Sequence, residues 1–153
     1  MSAAKLYTAE VLGLAVELAA FPPLADASLA GDARASACGS TLSIGLRLDA
    51  AGRVEALGLQ VRACAIGQAA AALFARDAIG QNADTILAAQ TRIAQWLAGE
   101  AALPGWRDLA MLEPARAYPG RHGAILLPWQ AAASALFARA VPGLTVSQHC
   151  RGG

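Results

Sequence analysis

Apolar and polar positions along the chain separate into stretches of helical and of alternating period. Thr8 stands where an N-cap is expected, and Leu12, Ala15, Val16 and Ala19 repeat at helical spacing behind it until Pro22 and Pro23 close the segment. Leu24 to Ala35 carries Asp, Ser, Gly and Ala without clear period and reads as a surface connection. From Thr41 to Leu48 the residues alternate, with Leu42, Ile44, Leu46 and Leu48 on one side and Thr41, Ser43, Gly45 and Arg47 on the other. Val54 to Arg62 alternates likewise through Leu57, Leu59 and Val61. Two such segments around Ala50-Ala51-Gly52-Arg53 predict a β-hairpin with one buried face.

Its register follows from the demand that both apolar stripes face one core, because a slip of one residue would bury the polar side. Leu46 then pairs with Leu57, Ile44 with Leu59 and Leu42 with Val61. Extending the ladder sets Gly39 opposite Cys64, so Cys38 and Cys64 belong to the same end of the hairpin. Alternation alone would turn the two thiols to opposite faces, but both lie past the regular strands, where their directions stay open.

Beyond the hairpin, Ile66 to Ile79 reads as a helix with Ile66, Ala69, Ala70 and Leu73 on its buried stripe and Gly80 as its left-handed terminator. Asn82 caps a further helix whose apolar face is Ile86, Leu87, Ile93 and Leu97, with Gly99 as its stop. Pro104, Pro114 and Pro119 limit residues 100–120 to a short helix around Asp108 to Leu112. A last helix holds Trp129, Leu136 and Phe137, with Pro128 confined to its first turn. The elements predict an α+β fold, a small antiparallel sheet with a hairpin core packed against several helices. The expected division is a single domain over residues 1–140 and a tail over 141–153.

Composition changes this picture little. The 153 residues are 56% hydrophobic and 15% charged, but much of the apolar share is alanine, a helix former. No run reaches the roughly 18 uninterrupted apolar residues of a spanning helix, and Glu10 and Glu17 interrupt the one stretch resembling a signal sequence. The expectation is a cytoplasmic protein that does not engage membranes. A formal net charge of +1 without an arginine cluster argues against nucleic-acid binding. Three cysteines in a reducing compartment read as reactive or metal-binding thiols.

Cys64 directly precedes a helix, whose unpaired amides and dipole favour negative charge on its sulfur, and Arg62 acts in the same direction. A small buried core residue is the plain alternative. Cys38 stands beside Gly39, which leaves room for a ligand to approach. His149 and Cys150 lie in the Gly-ending tail, and His122 opens the last helix between Gly120 and Gly123. Phosphate loops, GxSxG elbows and HExxH helices are absent, and no catalytic residue is assigned.

The segment Ala37-Cys38-Gly39-Ser40-Thr41, the hairpin, and Arg62-Ala63-Cys64-Ala65-Ile66-Gly67-Gln68-Ala69 opening a helix together resemble the iron-sulfur cluster scaffolds of the IscU, SufU and NifU N-terminal type. Arg121 and Ile125-Leu126-Leu127-Pro128-Trp129 resemble the segment that carries the third family cysteine. The resemblance implies a non-enzymatic protein of iron-sulfur cluster assembly that binds a [2Fe-2S] cluster or Zn²⁺ and works with a cysteine desulfurase and other assembly proteins. Cys38 and Cys64 match the first two family cysteines. Ser40 stands in place of the family aspartate, and anchoring on Trp129 puts Ala124, with Gly123 as the near alternative, where the third cysteine belongs. Two thiolates do not close a tetrahedral site. His122, Cys150 or a cysteine from a second subunit of a homo-oligomer are the candidates to complete it. Without metal, the pair would serve as persulfide acceptor or redox-active dithiol. A divergent interaction or regulatory module of the same fold and a zinc-bound sulfur-transfer protein are the further readings.

Overall fold

The computed structural model describes residues 7–37 and 39–140, with side chains described through residue 137. Cys38 and the tail with His149 and Cys150 lie outside the described residues. Helix α1 (Ala9–Glu17) continues as a 3₁₀ turn over Leu18–Ala20; strands β1 (Leu29–Arg34), β2 (Thr41–Leu48) and β3 (Val54–Arg62) follow, then α2 (Ala65–Ala78), α3 (Ala83–Leu97), 3₁₀ turns over Leu109–Ala117, and α4 (His122–Ala140). The fold is α+β, as the sequence predicts, with a three-stranded antiparallel sheet in the order β1-β2-β3.

The β2–β3 ladder pairs Leu46 with Leu57, Ile44 with Leu59 and Leu42 with Val61, the register that the alternation dictates. Near the turn the register shifts, so that Leu48 pairs with Val54 and Glu55 is accommodated as an extra residue. The Asp49 carboxylate accepts from the amides of Ala51 (2.9 Å) and Arg53 (3.0 Å), and Gly52 supplies the positive φ of 82° that closes the turn. Arg47 grips Glu55 and Asp26, each at 2.6 Å. The hydrogen bond with Glu55, then the charge of Asp26, raise its guanidinium pKa above the usual arginine value.

Strand β1 corrects the expectation that Leu24 to Ala35 is only a surface connection. Its sequence LAGDAR has no β-branched or aromatic residue, so local propensity gives no signal. Tertiary packing decides it: a Cβ built at Gly31 would meet the Ala131 carbonyl oxygen at 2.2 Å, so only glycine lets α4 lie this close to the strand. The preceding segment folds over the outer face of the sheet, where Cβ atoms at Gly45 and Gly58 would collide with Ala27 (2.8 Å) and with the backbone of Pro22 and Leu24 (2.3 Å).

Helix α2 is the central element. Ala69, Ala70, Ala71, Ala72, Ala75 and Ala78 are buried along with Leu73 and Phe74, because the helix is flanked by α1, α4 and β3. Its alanines keep those neighbours close. Among the described residues no helix is long and apolar enough to cross a membrane. Phe74 stacks on Trp106 (centroids 5.6 Å apart), and Trp129 meets both rings edge-on, while the Trp106 Nε1–H donates to the Leu73 carbonyl at 2.9 Å.

Three further expectations need correction. Helix α1 buries Val11 and Leu14, and leaves Leu12 and Val16 exposed, because the face against α2 lies one residue before the apparent stripe. In α3 Ile86, Ile93 and Leu97 are buried as expected, but Leu87 is exposed, and Trp96 on the other flank of the stripe is buried instead. Pro128 lies inside α4, beyond its first turn. The complete burial of Ala124, Ile125, Leu127 and Trp129 starts that helix early and outweighs the backbone bond the proline lacks.

Candidate functional site

At one end of the sheet the ladder finishes with Arg34 beside Thr41 and Thr41 beside Arg62. Past Arg34 the chain reverses through residues 35–40. The Ala35 amide donates to the Ser40 carbonyl (2.8 Å) and the Gly39 amide to the Ala35 carbonyl (2.8 Å), with Gly39 at φ 72°. Glycine is required there because a side chain would strain that left-handed conformation. Ala35, Gly39 and Ser40 thus lie at the same end of the sheet where β3 runs into α2, and Cys38 lies outside the described residues.

Cys64 occupies the N-cap of α2 with extended backbone (φ −66°, ψ 173°). Its carbonyl accepts from the Gln68 amide (2.9 Å), and the Gln68 side chain reaches back to the Ala63 carbonyl (2.9 Å), which fixes the first turn around the cysteine. The sulfur makes no capping bond, and the residue is a half-buried free thiol that also touches the core. Both the reactive and the core description thus contain part of the observed environment.

The start of α4 joins the two cysteine-bearing segments. A Cβ at Gly123 would lie 3.1 Å from Ala35 Cβ, at the base of the 35–40 turn. Ala124 is completely buried, and a Cβ at Gly67 in the first turn of α2 would sit 3.3 Å from its Cβ. The two alternatives for the third family cysteine thus face different neighbours: Gly123 borders the 35–40 turn, and Ala124 packs into the α2 contact.

His122, the first residue of α4, holds Nε2 at 2.8 Å from the Arg116 carbonyl oxygen. A carbonyl only accepts, so Nε2 is the donor of this bond, and Nδ1 is the ring nitrogen left to offer a lone pair when the ring is neutral. Arg116 is itself anchored, donating to the Trp96 carbonyl (3.1 Å) and lying over the Trp96 ring. Ser40 is buried and its carbonyl closes the 35–40 turn. Among the described residues no three His, Cys, Asp or Glu side chains form a group that could hold a metal ion. Cys64 and one imidazole nitrogen do not amount to the four donors of a tetrahedral centre, so the described side chains of one chain do not fit a closed cluster or zinc site.

Sequence reasoning missed the arginine at the end of β1. Arg34 pairs across the sheet with Thr41, but β1 carries no strand propensity, and the only hint is the weak alternation Leu29, Gly31, Ala33.

No protein-family model and no curated protein sequence matches the chain. Solved structures do. An N-terminal NifU-like protein from Brucella abortus, described as nitrogen-fixing, superposes with a TM-score of 0.79 at 30% identity, over 86% of this chain and 92% of that one. A SUF-system protein from thermophilic Fervidobacterium islandicum AW-1, assigned as an iron-sulfur cluster assembly scaffold, gives 0.78 over 88% of this chain and 99% of that one, and its 17% identity carries the fold alone. With that identity to the Brucella protein over nearly the whole fold, the chain belongs to the NifU-like N-terminal family of the IscU type, as a divergent member.

Proposed function

We propose that the chain acts in iron-sulfur cluster assembly as a scaffold-like protein whose site, Cys38 and Cys64, accepts sulfur from a cysteine desulfurase. The observation that carries this reading is the placement of Cys64: a half-buried free thiol at the N-cap of α2, at the sheet end where the 35–40 turn arrives. The Cys64 thiolate attacks the outer sulfur of a cysteine persulfide on the desulfurase. The donor S–S bond breaks as a new S–S bond forms at Cys64, and the donor cysteine leaves as a thiolate, so the transfer involves no net oxidation. The chain is a stoichiometric acceptor, not an enzyme, and a free thiol of this kind suits the reducing cytoplasm. The working domain is residues 1–140, and 141–153 form a tail.

Iron, a [2Fe-2S] cluster or Zn²⁺ would be cargo here. The candidate donors at this end are Cys38, Cys64 and His122 through Nδ1, so a closed tetrahedral site needs a further ligand, from Cys150 of the same chain or from a second subunit.

Anaerobic incubation with a desulfurase and cysteine, followed by alkylation and mass spectrometry, tests the reading. Cys64 should carry an added sulfur atom, and Cys64→Ser should abolish it. A desulfurase that becomes loaded with persulfide while this chain gains no sulfur would sink the proposal.

The burial of Ala124 and the glycine at 123 favour one second reading, an interaction module of the family that no longer holds a cluster. It expects metal-independent association with a desulfurase that is unchanged in Cys38→Ala/Cys64→Ala.

A further inference from the structure

Cross-strand pairing assigns every sheet residue to a face. Rows Ala33–Leu42–Val61, Gly31–Ile44–Leu59 and Leu29–Leu46–Leu57 form the face under α2 and α4. Rows Ala30–Gly45–Gly58, Asp32–Ser43–Gln60 and Arg34–Thr41–Arg62 form the outer face. The first of these outer rows is covered by the chain itself, since Gly45 and Gly58 lie beneath Pro22, Pro23, Leu24 and Ala27. The other two are uncovered: Asp32, Ser43 and Gln60 are exposed, as are Arg34 and Arg62, with Thr41 half-buried between them.

We propose that the Arg34–Thr41–Arg62 row is the surface on which a carboxylate-bearing segment of the sulfur-donating protein docks as it presents its persulfide to Cys64. The inference deepens the sulfur-acceptor reading and rests on it. Directly paired residues of an antiparallel sheet point to the same side, so the two guanidiniums flank the Thr41 hydroxyl with Cα atoms about 10 Å apart, two strand spacings. Cys64 follows Arg62 by two residues, so the row and the half-buried cysteine lie at the same end of the sheet.

Both arginines are available. Arg47, Arg76, Arg116 and Arg121 each have a side-chain partner, whereas neither guanidinium of this row has a hydrogen bond or ion pair among the described residues. The adjacent row ends in Asp32, which accepts from the Ser43 hydroxyl at 2.6 Å. Its negative charge disfavours carboxylates farther from the cysteine, so the pattern both attracts an acidic segment and sets where along the face it lies. Two separated guanidiniums on an open sheet suit two carboxylates a few residues apart on a protein segment better than a single small anion.

The test measures thiol–disulfide exchange in a Cys38→Ala/Cys150→Ala background, which leaves Cys64 as the one thiol. Two peptides, identical except for glutamate or lysine flanks, each carry a cysteine activated as its thionitrobenzoate disulfide, and the released thionitrobenzoate reports the rate. At low ionic strength the glutamate peptide should react about 10-fold faster than the lysine peptide. The ratio should fall below about 2 in about 0.5 M salt and in Arg34→Ser/Arg62→Ser. Arg53→Ser, at the opposite end of the hairpin, should retain it. Circular dichroism checks that each variant is folded. Equal rates for the two peptides, or a preference that survives loss of Arg34 and Arg62, overturns the proposal. The desulfurase assay is read separately: a chain that accepts sulfur but lacks charge preference keeps its function and loses this surface, and a chain with the preference but no sulfur loading loses the donor that the surface is meant to receive.

Discussion

Gly67 of α2 and Ala124 of α4 meet without room for another carbon: a Cβ at Gly67 would stand 3.3 Å from Ala124 Cβ and 2.6 Å from Ala63 Cβ. The contact seats the cysteine-capped helix on the start of α4, and it fills with a methyl group one of the two positions where the resemblance to scaffolds calls for a third thiol. Gly67→Val should cost about 2 kcal/mol or more, because the side chain must displace backbone-anchored neighbours and valine brings no gain in helix propensity beyond a few tenths. Urea denaturation measures the loss, and an unchanged midpoint would show that α2 and α4 are not packed this tightly.

Gly31 tests the unanticipated strand. Gly31→Ala drives a methyl into the Ala131 carbonyl and the Ala135 amide, where a built Cβ lies at 2.2 and 2.6 Å. The expected loss is about 2 kcal/mol or more by denaturation. An alanine tolerated at no cost would mean that β1 does not lie under α4.

The two sides of α1 should respond in opposite ways. Leu14 is buried and Val16 is 75% exposed. Leu14→Ala should cost about 2–4 kcal/mol, whereas Val16→Gln should stay within about 0.5 kcal/mol. Equal losses would return the helix to the orientation that its apolar spacing suggests.

His122 holds the chain before α4 through its bond to the Arg116 carbonyl. His122→Phe should lower stability by about 1 kcal/mol, the loss of one partly buried hydrogen bond. Sulfur loading of Cys64 should continue in this variant, since the acceptor thiol sits on another element. Loss of loading without loss of stability would give the imidazole a direct part in the site.

The hairpin, its register and the caps of α1, α2 and α3 are legible in the sequence because each depends on neighbours in the chain: alternating residues, Thr8, Asn82, Gly80. The common end of the two cysteine segments follows from the same local rule. Strand β1 is not legible, since LAGDAR becomes a strand only when β2 and α4 are present to pair and pack with it. The exposed side of α1 misleads for a related reason. A stripe of alanine, leucine and valine gives several nearly equivalent faces, and contact with α2 selects among them.

The amino-acid order by itself determined an α+β chain with a cysteine before the hairpin and a cysteine at a helix start, because strand alternation and helix capping are short-range. Only the tertiary structure decided what surrounds that end. It brought Arg34 alongside Thr41 and Arg62, committed His122 Nε2 to Arg116, and set Gly123 against Ala35 and Ala124 against Gly67. Those contacts join residues from β1 to α4, and steric fit between packed elements, invisible to any local pattern, selects them.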